Sequence, residues 1–137
     1  MSILKTKESE MGNRAVIQMV GEQVGIYVHN NGGLDTIQPL LDVAKEYGLR
    51  GDDYGMARLT QMLGNLFGGI LNIGIDKLEN LDKNNYDNGT YVISRNFNIV
   101  ERLFFDGEEQ NYIDYDEMKA HIKAMNDQFF IRDGILA

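Results

Sequence analysis

Two short strand candidates, "RAVIQMV" at 14–20 and "VGIYVHN" at 24–30, lie so close together that they can pair only as an antiparallel hairpin. Gly21-Glu22 between them suits a two-residue turn with glycine first. Strand periodicity puts Val24, Ile26 and Val28 on one face, toward a core, and Tyr27 and His29 on the other. The second strand then breaks into Asn30-Asn31-Gly32-Gly33, where the glycines are expected to supply positive φ at a corner.

A helix follows in "LDTIQPLLDVAKEYG". Asp35 and Gln38 have capping-box spacing, Gly48 is a C-terminal stop, and Pro39 either disturbs the first turn or marks the start of regular helix. Ile37, Leu40, Leu41, Ala44 and Tyr47 form its apolar stripe. "DDYGMARLTQMLGNLFGG" is a second helix, capped by Asp52 or Asp53. Its Gly64 and Gly68, four apart, suggest close approach to another backbone. "ILNIGI" reads as a third strand, and "TYVIS" with "FNIVERLFF" as a hairpin turning near Arg95-Asn96. A last helix begins at Asp114, with Glu117 in capping-box position and a stripe of Tyr115, Met118, Ile122, Met125 and Phe129.

The order β-β-α-α-β-β-β-α predicts an α+β domain: an antiparallel sheet of about five strands with helices mainly on one face. At 137 residues one domain is expected over 11–130, with a polar arm at 1–10 and a tail at 131–137. Folding the helices as a pair brings His29, Asn30 and Asn31 near Gly68-Gly69. It sends Asp52 and Asp53 to the opposite end, together with the Asp87-Asn88-Gly89 turn. If one sheet face stays uncovered, Tyr27 and Tyr91 form an aromatic patch of the kind that marks a homodimer or partner interface.

Composition removes several chemistries. Without cysteine there is no disulfide, thiolate zinc site or cysteine nucleophile. The net charge of −8 disfavours bulk nucleic-acid binding and favours basic partners. No apolar run spans a membrane and the N-terminus has no signal-peptide core, so a cytoplasmic protein is expected. His29 is a candidate base or metal ligand, but a metal needs Asp35 or another acid to converge on it. "HNNGGLD" can present amides to an anion yet has neither Walker nor dinucleotide spacing, and "DKNNYDNG" fails the calcium-loop pattern. Arg14, Arg58, Arg95 and Arg102 are candidates for an anion pocket, Arg58 foremost because it opens an otherwise apolar helix. No metal site and no cofactor is predicted.

"NRAVI", "GIYVHNNGG", "DDYGMARLTQMLGNLFGG", "DNGTYVI" and "NFNIVER" together resemble a group of small uncharacterised proteins from phages and prophages of Gram-positive bacteria. The resemblance covers roughly residues 11–105. Asn30 departs from the tryptophan common at its position, so no stacking role passes to it. The resemblance implies a setting, the bacterial host cell; in it the expected function is that of a non-enzymatic, homodimeric accessory protein that inhibits an anti-phage defence component, in the manner of an anti-CRISPR. The alternatives are a binder that sequesters a defence signalling nucleotide, and a metal-dependent hydrolase centred on His29. The predicted ligand- or partner-binding residues are Tyr27, His29, Asn30, Asn31, Gly32, Gly33, Asp35, Arg58 and Tyr91.

Overall fold

The computed structural model describes residues 13–109 and 111–133. The arm predicted at 1–10 lies outside the described residues, as does the chain after 133. The elements are β1 (Ala15–Met19), β2 (Val24–Val28), α1 (Leu34–Tyr47), α2 (Asp53–Phe67), β3 (Ile73–Lys77), β4 (Thr90–Ile93), β5 (Ile99–Leu103) and α3 (Tyr115–Asp133). A short 3-10 turn at Leu78–Asn80 follows β3. Helix α3 thus continues past the boundary predicted at 130.

The α+β class and the five strands match the expectation, with one change in the sheet. Its order is β3-β2-β1-β4-β5, and β1 pairs with β4 in parallel while the other three pairings are antiparallel. All four residues of β4 are buried, which suits a strand covered on both faces in the middle of a sheet. The segment after β3 runs back to the start of β1 before β4 begins, and this return makes the pairing parallel. The first hairpin keeps the expected register, its pairs from Ala15↔Val28 to Gln18↔Gly25 centring between Gly21 and Glu22, but its hydrogen-bonded turn lies one residue earlier. Glu22 N–H bonds the Met19 carbonyl at 3.0 Å, so Val20 and Gly21 are the central residues, and Gly21 has φ 86°.

Ile17 pairs with Ile26 on one side and Tyr91 on the other, so all three share the face on which the helices pack. There they join Leu40 and Leu41 of α1, Leu59 and Leu63 of α2, and Met118 and Ile122 of α3 in one core. Tyr115 of the last predicted stripe is instead exposed, with its hydroxyl donating to Asp42 at 2.6 Å, and the Phe129 side chain lies outside the described residues. Asp52 caps α2 by accepting from Gly55 N–H at 3.1 Å, and Asp114 caps α3 through Glu117 N–H at 3.1 Å.

Helix α1 starts at Leu34 with Gly33 as its cap and carries Pro39 inside it, so Asp35 is a first-turn residue rather than the cap. The Gly64/Gly68 expectation also fails. A Cβ on Gly64 would meet only Ile73 Cδ1 at 3.8 Å, and Gly68 simply ends the helix at φ 67°.

The second sheet face is covered as well. Segment 78–89 crosses it: Leu78 and Leu81 sit over Gly25, where a Cβ would lie 2.8 and 3.0 Å from their methyls. Thr90 Oγ donates to the Lys83 carbonyl at 3.0 Å. The open aromatic face is therefore absent: Val16 and Thr90 are fully buried, Tyr27 is half-buried, and Tyr91 lies on the helix face with no exposure.

Candidate functional site

Parallel pairing decides which loops meet. Because β4 runs alongside β1, the turn entering β4 lies at the same end of the sheet as the start of β1 and the end of β2. Asp87-Asn88-Gly89 therefore joins His29–Gly33 rather than Asp52 and Asp53, which corrects the predicted second cluster. Val16 N–H bonds the Gly89 carbonyl at 2.9 Å, and Asn88 Nδ2 donates to Asn13 Oδ1 and to the Arg14 carbonyl.

The loop before β4 is built around Asn85, which is fully buried. Its amide donates to the Asp82 and Gly89 carbonyls at 3.0 Å each, and its oxygen accepts from Asp87 N–H at 3.1 Å and Gly89 N–H at 2.9 Å. This closed set of bonds holds Tyr86 at φ 60°, a left-handed conformation that bulky side chains rarely adopt. Across from it, β5 ends and Phe104 takes φ 57°.

At this rim Arg14 Nε donates to Asp87 at 2.6 Å and its guanidinium also lies 3.8 Å from Asp82. The Asp87 bond holds the Arg14 proton more firmly than usual. Next to it the Tyr27 hydroxyl and His29 Nδ1 are 2.8 Å apart. A histidine protonated on Nε2 accepts there from the phenol. Burial pushes the Tyr27 hydroxyl up, with Arg14 opposing.

The predicted link to the end of α2 is present through Asn72. His29 N–H bonds the Asn72 carbonyl at 2.8 Å, Asn30 donates to Asn72 Oδ1 at 3.2 Å, and Asn72 donates to the Gly68 carbonyl at 2.9 Å.

Asn31, Gly32, Tyr91 and Asp35 each hold a place in the fold at this end. Asn31, and neither glycine, takes the left-handed turn at φ 59° and is buried. Gly32 is required because a Cβ would stand 2.6 Å from Ala15 Cβ. Its carbonyl accepts from the buried Tyr91 hydroxyl at 2.7 Å, and burial pushes that hydroxyl well up. Asp35 fastens the segment before α3, accepting from Tyr112 N–H at 2.9 Å and Ile113 N–H at 3.2 Å. Burial nonetheless pushes its carboxyl up, and its Oδ1 is buried without a partner. Asp35 is thus committed away from His29, and among the described residues no group of His, Asp or Glu is arranged to hold a metal ion.

Arg58 lies at the far end, its guanidinium 5.6 Å from the Tyr54 ring centroid. The four arginines form no shared pocket: Arg14, Arg95 and Arg102 each pair with a different acid. At that far end Glu22 meets Asp53, whose hydrogen bond pushes the Glu22 carboxyl up against the pull of Arg95 at 3.2 Å.

The rim widens into an open cleft of about 520 Å³ lined by Asn84, Tyr86, Asp87, Phe104, Phe105 and Asp106. Tyr86 is 87% and Phe104 55% exposed. Behind Phe105 the Arg102 guanidinium lies 4.0 Å from its ring centroid and 4.1 Å from that of Tyr91. None of Tyr86, Phe104, Phe105 or Asp106 was predicted as a binding residue. A strand running on through Phe104 and Phe105 would send the two adjacent rings to opposite faces, and the strand's end at Leu103 is what brings both to the cleft. No family model, curated protein or solved structure matches this chain.

Proposed function

We propose that this protein works by binding, as a non-enzymatic accessory inhibitor whose aromatic and acidic rim receives basic side chains of a protein partner. The observation that carries the reading is the cleft itself. Two aromatic rings are held outward in left-handed backbone, at a cost of about 1–3 kcal/mol each, beside the carboxylate of Asp106, while that of Asp87 is already paired with Arg14. Aromatic faces with a carboxylate suit a guanidinium or ammonium group. The chain already stacks one of its own this way, with Arg102 between Tyr91 and Phe105. The net charge of −8 steers such a partner inward.

The resemblance to phage and prophage proteins supplies the setting, with a host anti-phage defence component as the target. The test is phage plating on hosts carrying single defence systems, with wild type and a Tyr86→Asn/Phe104→Asn variant, asparagine being tolerant of left-handed backbone. Rescue of plating by wild type alone supports the reading. Equal rescue by the variant removes the rim from it, and no rescue in any host removes the inhibitor role.

A further inference from the structure

We propose that two copies of this chain pair through the edge of β3, which no strand of the described residues covers, joining two five-stranded sheets about a two-fold axis at Ile75. The β2–β3 register decides which backbone groups are free. His29 N–H bonds the Asn72 carbonyl and Leu78 N–H bonds the Gln23 carbonyl, while Tyr27 pairs with Gly74 and Gly25 with Asp76. In an antiparallel ladder alternate residues exchange both bonds. Residues 72, 74, 76 and 78 therefore face β2, and Ile73, Ile75 and Lys77 direct N–H and C=O to the open edge.

These three residues are self-complementary. An antiparallel pairing centred on Ile75 sets Ile73 against Lys77 of the second copy, Ile75 against Ile75, and Lys77 against Ile73. About six backbone hydrogen bonds form, two for each facing pair. On the helix face Ile75, 58% exposed alone, meets its counterpart. On the other face Gly74 meets Asp76, so no like charges stand directly opposed.

Two further features sit at opposite ends of β3, as an isologous interface requires. Just before the strand, Ile70 and Leu71 are 92% and 83% exposed. Beside its far end opens a cleft of about 530 Å³, lined by Val24, Ile26, Met56, Ala57, Thr60 and Ile75. The two-fold brings Ile70 and Leu71 of each copy to the cleft end of the other. The opposite sheet edge is protected: β5 carries a register shift against β4 at Val92/Ile93, and such irregularities turn an edge away from pairing. β3 pairs in unbroken register. The Tyr86–Phe104 cleft, beside β4 and β5, stays open on both flanks of the dimer.

The absence of native cysteine makes the test direct. Facing Cα atoms in a hydrogen-bonded antiparallel pair are about 5.5 Å apart, within disulfide range. The full chain is sized by sedimentation, and Ile75→Cys and Val100→Cys variants are oxidised and run without reductant. The expected result is a wild-type dimer, near-complete cross-linking through Cys at 75 and little at 100, where Val100 is equally exposed on β5. An Ile75→Asp variant, at an exposed site the fold tolerates, is expected to sediment as a folded monomer with an unchanged circular dichroism spectrum. A monomeric wild type, or equal cross-linking at both positions, overturns the proposal.

Discussion

Replacing Tyr91 with phenylalanine separates a structural tyrosine from a binding platform. Tyr91 has no exposure, and its hydroxyl donates to the Gly32 carbonyl at 2.7 Å. Phenylalanine keeps the ring in the core and under the Arg102 guanidinium, 4.1 Å from the centroid. What is lost is one hydrogen bond, and the Gly32 carbonyl is left buried behind it. A net bond contributes about 0.5–1.5 kcal/mol, and stranding its buried partner costs about 1–3 kcal/mol. The expected destabilisation is therefore about 2 kcal/mol. For a domain between the 100- and 150-residue classes this lowers Tm by roughly 6–8 °C. Urea unfolding followed by circular dichroism should show a lower midpoint at constant slope, since the exposed area barely changes. Tyr27→Phe is the control: its hydroxyl meets only the exposed His29, and a change within about 0.5 kcal/mol is expected. A Tyr91→Phe protein as stable as wild type would refute the assignment of Tyr91 to the corner between β2 and α1.

Three further substitutions probe the rim and its supports. Gly89→Ala places a Cβ 2.2 Å from the Leu103 carbonyl at φ 65°, and a loss above about 3 kcal/mol is expected, read as insoluble expression or a lowered urea midpoint. Asn85→Ala removes all four bonds of the buried amide, at about 1 kcal/mol each; limited proteolysis should then cut within 82–88 before the rest of the domain. Asp35 titrates above the ordinary carboxylate value when folded, so the native state holds its proton more tightly than the unfolded chain. That term loses stability as pH rises through the window between the unfolded and folded values, starting near about 4. Melting curves across pH should show Asp35→Asn gaining on wild type as pH rises, and a constant difference would contradict the assigned shift.

Local features of this fold were readable because each depends on neighbours in sequence. Tyr27 and His29 share a face by strand periodicity and meet at 2.8 Å. Asp52 and Asp114 start their helices and Gly48 ends one by chemistry confined to one turn. Asp35 misled because its distance from Gln38 mimics a cap, while its actual partners are the backbone amides of Tyr112 and Ile113, fixed only by tertiary packing. The rim fails to show in the sequence for the same reason on a larger scale. Arg14 meets Asp87 only because β4 enters beside β1 in parallel, a pairing across more than seventy residues that no turn specifies.

One signal did point to it. "AVI" and "YVI" are apolar at consecutive positions, whereas a half-covered strand alternates. Two such strands ask to lie side by side in the middle of the sheet, covered above and below. Once β1 and β4 are central, Tyr91 must fall inside rather than on an exposed patch, and something other than a helix must cover Val16 and Thr90. Among the described residues the polar stretch 78–89, anchored by Leu78 and Leu81, does this. Spending that segment on the second face carries its tip, Tyr86 and Asp87, to the end of the sheet where β5 releases Phe104. The cleft is thus a consequence of covering the sheet, and its aromatic side chains are what the covering alone does not require.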